Sequence, residues 1–328
     1  MGIKKYIPGL AVALVFALVS FAVTQHPLAR ANGVSPLVIA IILGLIYGNT
    51  FYGRHREVLF DGLCFSQQKL LRAGVALYGL NISFVQIAEL GWAVVLLNCA
   101  IIILVMLLGV FVGRLLGLDR TMAVLVAIGA AICGAAAVLA AGPVTRANMQ
   151  QVAMAVATVV LFGTIAMFVY PIIYPLLPLD AAHYGIYAGS TVHEVAQVVA
   201  AGAAVGPEAA DTGVIVKLIR VMLLAPTLIL LGLWMRKSGD SKQKLYIPWF
   251  VLVFIAISAI NTWLPLGDTV HKTLVQADII VLSMAMAALG VDTNFEKLRH
   301  LGPRPFLLAL VLFVFLIFGG LFLNLWLV

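Results

Sequence analysis

Long apolar runs follow one another along the chain, separated by short polar stretches. Most runs are roughly 17–25 residues long, which is the length at which an α-helix crosses a hydrocarbon core about 30 Å thick. No polar stretch is long enough for a soluble domain, so one integral membrane domain over residues 1–328 is expected. The pattern predicts eleven spans, at 9–25, 34–50, 67–83, 92–113, 122–141, 150–176, 185–205, 213–234, 246–264, 274–290 and 305–327.

Composition supports this architecture. The chain is 63% hydrophobic and 10% charged, whereas soluble globular domains are about one quarter charged. The runs lack the period-two alternation of a transmembrane β-barrel. The predicted fold class is therefore an all-α polytopic membrane protein. Cys64, Cys99 and Cys133 are scattered without metal-ligand spacing, and we interpret them as small core residues.

The distribution of basic residues predicts an orientation. With the N-terminus in the cytoplasm, fourteen Lys and Arg residues fall in cytoplasmic segments, and three (Arg30, Arg146 and Lys272) fall outside. This bias predicts a bacterial-type inner membrane protein with its C-terminus outside. It also accounts for the net charge of +7 without a nucleic-acid partner. Residues 1–33 resemble a signal peptide, although their long apolar run favours a retained helix.

Two segments recur within the chain. Residues 78–91 (YGLNISFVQIAELG) match residues 289–302 (LGVDTNFEKLRHLG), and residues 138–142 (VLAAG) match residues 198–202 (VVAAG). Many transporters are built from internal repeats. The matches therefore predict two repeat halves, at 67–177 and 185–327.

Ionised side chains inside the predicted spans are the main candidates for function. They are Arg72, Glu194, Lys217, Arg220 and Asp278. Each would cost about 2.5–3.5 kcal/mol if it faced lipid, so we expect these groups to face the protein interior or an aqueous cavity. Arg72 and Asp278 lie near span ends, where the alternative is that they extend toward the membrane surface.

The segment STVHEVAQVVAA, residues 190–201, places four polar residues on one side of a helix. Ser190, His193, Glu194 and Gln197 are spaced by three or four positions and would share a face. Such a stripe can line a cavity, or it can form a hydrogen-bonded network that holds helices together.

Lys217 and Arg220 are three residues apart and should project from the same side of their helix. Two adjacent cations require anionic compensation, which Glu194 or a bound anionic substrate could supply. The alternative is a structural cluster of these cations with Glu194 and Asp278.

Two further motifs leave alternatives open. Gly142-Pro143 predicts a helix break, followed by a cap at Thr145 or Asn148. The break could present N–H groups to an anion inside the protein, or it could be a surface loop beside Arg146. Asn81 and Asp292 occupy matching positions in residues 78–91 and 289–302. They could line a pathway, but the preferred interpretation is that they cap helix ends.

The chain resembles the YeiH-type sulfate exporter family in AICGAAAVLAAGPVTRANMQQ, STVHEVAQVVAAG, VIVKLIRVMLLAP and YGLNISF. The likeness covers most of the chain, from about Ser35 to the C-terminus. More distantly, the family is similar to the cation/proton antiporter and anion transporter superfamily. The resemblance implies inverted repeats, broken crossing helices, a core domain that moves elevator-like against a panel, and a homodimer. It also implies export of a small sulfur oxyanion.

We therefore predict a secondary transporter without cofactor or metal. Its predicted substrate contacts are Lys217, Arg220, Cys133, Gly134, Ala135, Ala136, Ser190, Thr191, His193, Gln197 and Asn81. Glu194, His193 and Asp278 are the predicted proton-coupling groups. The alternatives are a cation/proton antiporter using Glu194 and Asp278, or an anion channel. An enzyme is not expected, because the sequence has no His-Glu-x-x-His motif and no run of aspartates.

Overall fold

The computed structural model describes residues 3–26, 35–82, 85, 89–235, 249–263, 267–293 and 302–328. Within these residues every regular element is helical. The α-helices are α1 (Ile7–Gln25), α2 (Pro36–Thr50), α3 (Tyr52–Phe65), α4 (Leu71–Leu77), α5 (Gly91–Leu115), α6 (Arg120–Ala131), α7 (Ala135–Thr145), α8 (Met149–Ile173), α9 (Ala181–Thr191), α10 (Val195–Ala203), α11 (Pro207–Met222), α12 (Leu224–Met235), α13 (Trp249–Trp263), α14 (Asp268–Asp292) and α15 (Pro303–Leu327). A π-helical turn at Ser66–Leu70 joins α3 to α4, and 3-10 turns lie at Ile3–Lys5, Tyr78–Asn81 and Tyr174–Leu176.

Six segments of the described chain are long and apolar enough to cross a membrane. They are Ile7–Gln25, Gly91–Leu115, Gln150–Leu176, Pro207–Met235, Thr269–Asp292 and Pro303–Leu327. Exposed side chains support this assignment, because Leu96, Ile103, Leu107 and Phe111 form an apolar stripe along α5. The protein is thus a multi-pass helical membrane protein, as predicted.

The chain folds into two compact units, and each is described by itself. The first unit comprises Met1–Glu89 and Trp249–Glu296. In it, α14 packs against α1, α2 and α4. The α2–α14 contact depends on small residues, because a Cβ atom on Gly44 would collide with the backbone of Ala287 and approach Gly290. Close backbone approach of this kind is typical of helix packing in membranes.

The second unit comprises Leu90–Pro248 and Lys297–Val328. In it, α11 packs against α9 and α10, while α8 contacts α6, α7, α10 and α15. Side-chain caps fix several helix starts. Asp119 accepts from the Met122 N–H at 2.9 Å, and Asn148 and Gln151 form a capping box at the start of α8. The predicted Asn148 cap is therefore confirmed.

Two of the predicted continuous spans are broken, which corrects the sequence analysis. The span predicted at 122–141 divides at Ile132–Gly134 into α6 and α7. The span predicted at 185–205 divides at Val192–Glu194 into α9 and α10. Hydropathy does not detect the first break, because Ile132, Cys133 and Gly134 are as apolar or small as their neighbours. At the second break His193 and Glu194 are polar, but two polar residues within a long apolar run do not lower its hydropathy enough to divide the predicted span. One consequence is that Ser190 and Gln197 belong to different helices and do not share a helical face.

The break predicted at Gly142-Pro143 is also wrong. Pro143 lies within α7, which continues to Thr145 and ends at Arg146 in the left-handed conformation, with φ 57°. A proline in the last turn costs one backbone hydrogen bond without ending the helix there. Arg146 and Asn148 are both exposed.

The predicted repeat halves, 67–177 and 185–327, each contribute to both units. The single-domain organisation and the repeat stay predictions.

Candidate functional site

The two helix breaks of the second unit supply the frame of the candidate site. At the first break, Gly134 has φ 65°, a left-handed conformation that glycine adopts at low cost. At the second, Val192 and Glu194 are extended, with ψ 149° and 153°. Each break creates one helix C-terminus with unpaired carbonyl groups and one helix N-terminus with unpaired N–H groups.

Lys217, from α11, joins the C-terminal sides of both breaks. Its ammonium group donates to the carbonyl of Ile132 at 2.5 Å and to that of Val192 at 2.6 Å. The side chain is 0% exposed. A cation near a helix C-terminus is favourable because the aligned peptide dipoles leave partial negative charge there.

Arg220 lies one turn after Lys217 on α11, is also 0% exposed, and binds the preceding carbonyls in the same way. Its guanidinium donates to Ala131 O at 2.5 Å, to Ser190 O at 2.5 Å and to Ala130 O at 2.9 Å. The prediction that the two cations project together is confirmed. The hydrogen bonds in the structure show backbone carbonyls as acceptors, a partner that the sequence analysis did not consider.

Glu194 occupies the opposite, N-terminal sides of the breaks. Its Oε1 accepts from the Ala135 N–H, the first residue of α7, at 3.2 Å. Its side chain also accepts from the backbone N–H of Gln197 in a capping box that starts α10, and its own N–H donates to Gln197 Oε1 at 3.0 Å. Glu194 thus joins two helix N-termini, where negative charge is stabilised. The usual capping-box signature begins with Ser or Thr, so Glu194-x-x-Gln197 gives only a weak signal of a helix start in the sequence.

The predicted residues His193, Gln197 and Cys133 are buried at the same place. His193 is 2% exposed and Gln197 is 0% exposed, and His193 Nδ1 and Gln197 Nε2 have no hydrogen-bond partner within the described structure. Cys133 lies in the first break, next to Gly134. Ala135 and Ala136 form the first turn of α7, so their N–H groups belong to the helix start.

Ser190 and Thr191 close the α9 end of the site. Their hydroxyls donate to the Tyr187 carbonyl, at 3.1 Å and 2.5 Å. Ser190 Oγ also accepts from Asn324 Nδ2 of α15 at 3.1 Å. Asn324 was missed in the sequence analysis, although a buried amide in an otherwise apolar run is the same type of signal that selected Gln197.

Two predicted site residues, Asn81 and Asp278, belong to the first unit. Asn81 ends the 3-10 turn that follows α4, and Asp292 ends α14, so both lie at C-terminal helix ends. Any capping of the following segments lies outside the described residues. Asp278 is 1% exposed on α14, and neither carboxyl oxygen has a hydrogen-bond partner within the described structure.

The arrangement favours anion binding over metal binding. Two helix N-termini and two buried cations bias the region toward positive potential. Among the described residues, no group of three His, Cys, Asp or Glu side chains is placed to hold a metal ion.

Comparison with known proteins gives consistent family matches. Residues 8–309 match the sequence model of a family described as Conserved hypothetical protein 698. The UPF0324 inner membrane protein YeiH of Escherichia coli (strain K12) is 44% identical, covering 96% of this chain and 92% of that protein. A UPF0324 membrane protein of Pseudomonas aeruginosa is 44% identical, covering 98% and 94%. A UPF0324 membrane protein of Bordetella pertussis is 46% identical, covering 94% and 92%. No solved structure matches the chain.

Proposed function

This chain belongs to the YeiH-type family of UPF0324 membrane proteins, and from that premise we propose that it is a secondary transporter exporting a small sulfur oxyanion. Sulfate, sulfite and sulfonates are the candidate substrates. The observation that carries the proposal is the convergence of two half-helix N-termini beside Lys217 and Arg220, both fully buried. Backbone N–H groups at helix N-termini bind oxyanions without further specialisation.

The binding roles follow from the hydrogen bonds. Lys217 and Arg220 hold the carbonyl ends of α6 and α9, which neutralises the negative helix ends while keeping positive charge at the breaks. The N–H groups of Cys133, Ala135 and Ala136 then contact the substrate, with His193 and Gln197 supplying side-chain donors. The Gly134 N–H remains bonded to the Gly129 carbonyl at 3.0 Å. The site resembles in principle the broken-helix sites of other secondary transporters.

Transport would proceed by alternating access, with the second unit as the core of an elevator. The family resemblance implies an inverted repeat, and the two recurring segments place matching elements in both predicted halves, although in opposite chain order. Residues 138–142 and 198–202 lie on α7 and α10, each the second half of a broken helix. Residues 78–91 and 289–302 begin at the ends of α4 and α14, both in the first unit. Each predicted half therefore supplies matching elements to the same unit.

The location follows from the relatives and the charge pattern. Relatives carry the description inner membrane protein, and we assign this chain to the same membrane. The positive-inside bias supports a cytoplasmic N-terminus and an external C-terminus. A homodimer and the absence of enzymatic activity complete the proposal.

One observation favours a second candidate, a cation/proton antiporter. Asp278 is buried without a hydrogen-bond partner within the described structure, and such a carboxyl can carry a proton or a cation. An anion channel is the remaining alternative, and flux far above carrier rates would identify it.

Counterflow into proteoliposomes tests the proposal. Purified protein is reconstituted with internal unlabelled sulfate, and uptake of labelled sulfate, sulfite and methanesulfonate is followed with and without a pH gradient. We expect saturable uptake of at least one of them. The Arg304→Met variant is the control, because Arg304 is exposed and is not a predicted site residue, and its uptake should equal that of the parent.

An opposite result would favour the antiporter. No oxyanion uptake above empty liposomes, together with sodium-driven proton flux that Asp278→Asn abolishes, would overturn the proposal.

A further inference from the structure

Glu194 occupies a position suited to a bound anion. Its carboxylate accepts from the first N–H of α7 and from the N–H of Gln197 in the first turn of α10. Two independent helix N-termini therefore share one carboxylate, which the chain itself supplies. A substrate oxyanion that used these donors would have to take them from Glu194.

The local structure is built around this carboxylate. A Cβ atom on Gly134 would lie 2.5 Å from Glu194 Cγ and 2.8 Å from Glu194 Oε1. Glu194 is 7% exposed, so its carboxylate has little contact with solvent.

Buried charges around the breaks do not balance. The titratable and charged groups buried at or beside the two breaks within the described structure are Cys133, His193, Glu194, Lys217 and Arg220, with Tyr170, Tyr184 and Tyr187 further along α8 and α9. Thiols and phenols are ordinarily neutral at pH 7, and a neutral imidazole is favoured beside two cations. Glu208 and Asp211 lie in the first turns of α11, at least about 9 Å along the axis before Lys217. Two positive charges thus face one negative charge.

Two buried donors or acceptors at the same place lack partners. His193 Nδ1 and Gln197 Nε2 are buried and make no hydrogen bond within the described structure. Buried polar atoms are normally satisfied, so the His193 atom in the second break is available to a ligand with polar atoms, whereas the Gln197 amide packs against Gly163 of α8.

We propose that Glu194 holds the place of the substrate, and that a divalent oxyanion takes over the two helix N-termini only after Glu194 has accepted a proton. This inference rests on the proposed function. Protonation removes the charge of Glu194 and weakens its hydrogen bonds with the Ala135 and Gln197 N–H groups. A dianion beside neutral Glu194 then balances Lys217 and Arg220. One proton enters with the substrate and leaves with it, so proton and dianion move together in the same direction.

The same charge count makes a different prediction for monovalent anions. A monoanion beside ionised Glu194 already balances the two cations, so its binding requires no proton. Sulfate and methanesulfonate therefore form a matched pair of probes, because both carry a sulfur oxyanion group and both keep their charge from mildly acidic to mildly alkaline pH.

Equilibrium binding of the two labelled probes to the purified full-length protein tests the proposal. For the parent, sulfate affinity should rise by up to about tenfold for each unit by which the pH falls, as linkage to one proton requires. Methanesulfonate affinity should stay flat or rise less steeply over the same range, because a monoanion is repelled less by the ionised carboxylate than a dianion is. Glu194→Gln should bind sulfate with no pH dependence, at the parent's acidic affinity, and should bind methanesulfonate at least as tightly as the parent does, because a repelling charge is removed.

Two outcomes overturn the inference while leaving the proposed function intact. One is an equal pH dependence of binding for both probes in the parent. The other is that Glu194→Gln keeps the parent's pH dependence of sulfate binding. Failure of both probes to bind or be transported would instead contradict the proposed function. If Glu194→Gln does not fold, the comparison of the two probes on the parent still decides the matter, and Glu194→Asp should keep the sulfate pH dependence.

Discussion

Glu194 and Asp278 are both carboxylic acids on apolar helices, 7% and 1% exposed, yet their surroundings differ. Glu194 accepts hydrogen bonds from two helix N-termini in the second unit. Asp278 lies on α14 of the first unit, and neither oxygen has a donor within the described structure. Burial alone therefore does not identify what a carboxyl group does.

The two carboxyl groups differ in whether their oxygens accept hydrogen bonds within the described structure, and therefore in how much each contributes to stability. Around the breaks, carbonyls of α6 and α9 are matched by Lys217 and Arg220, and N–H groups of α7 and α10 are matched by Glu194. Removing any of these three side chains leaves buried polar groups without a hydrogen-bond partner, which lowers stability by about 1–3 kcal/mol for each group. Asp278 makes no such bond within the described structure, so its removal should cost little stability. Substitutions at the breaks should therefore lower stability more than a substitution of Asp278.

The largest effect is expected for Arg220→Met. The substitution would leave the carbonyls of Ala130, Ala131 and Ser190 without their donor. At about 1–3 kcal/mol for each buried unsatisfied group, the protein should lose about 3 kcal/mol or more of stability. Thermal unfolding in detergent, followed by size-exclusion chromatography, measures the change.

Arg304→Met is the control for Arg220→Met. Arg304 is exposed and its closest carbonyl, that of Gly117, lies at 3.5 Å. Its replacement should leave the melting temperature nearly unchanged. If both arginine variants melt alike, the helix-end role of Arg220 is wrong.

Gly134→Ala should have the second largest effect. Alanine disfavours the φ of 65° found here, which costs about 1–2 kcal/mol, and its methyl group would meet Glu194 Cγ at 2.5 Å. We expect a loss of about 2–3 kcal/mol in stability. Gly53→Ala is a suitable control, because a Cβ atom there meets nothing within 4 Å. Equal losses in the two variants would show that the Glu194 carboxylate does not depend on the space at Gly134.

The class of fold and the inward position of the charged side chains could be predicted from the sequence, whereas the backbone geometry around them could not. Apolar run length sufficed to predict a multi-pass helical protein, because a span must be both long and apolar. The cost of burying charge likewise selected Glu194, Lys217 and Arg220, which the structure brings to one pair of breaks.

The breaks themselves were not predicted where they occur. Gly134 and Val192 interrupt helices through backbone dihedral angles, which hydropathy does not encode. Pro143 is a stronger local breaker than either, yet α7 accommodates it. Tertiary contacts decided the outcome, since Lys217 and Arg220 satisfy the carbonyl ends that a broken helix exposes. Pairing of that kind between distant segments cannot be deduced from one sequence.

Glu194→Gln should lower stability less than Arg220→Met or Gly134→Ala. Glutamine can still accept from the Ala135 N–H, but the negative charge at the two helix N-termini is lost. A charge-assisted hydrogen bond contributes about 1.5–3 kcal/mol, against about 1 kcal/mol for a neutral one. We expect a loss of about 1–2 kcal/mol of stability at pH 7, measured by thermal unfolding in detergent. An unchanged melting temperature would mean that the carboxylate is not held as an anion.

Asp278→Asn should have the smallest effect, and it completes the comparison with Glu194→Gln because both exchange a carboxyl for an amide. Asp278 makes no hydrogen bond within the described structure, so no bond is lost. A buried carboxyl without a donor is already unfavourable when charged, and the neutral amide should change stability by less than about 0.5 kcal/mol or increase it. A loss equal to that of Glu194→Gln would reveal a partner of Asp278. Sodium-driven proton flux should be measured on the same variant, because a buried carboxyl that adds nothing to stability is available to bind a proton or a cation.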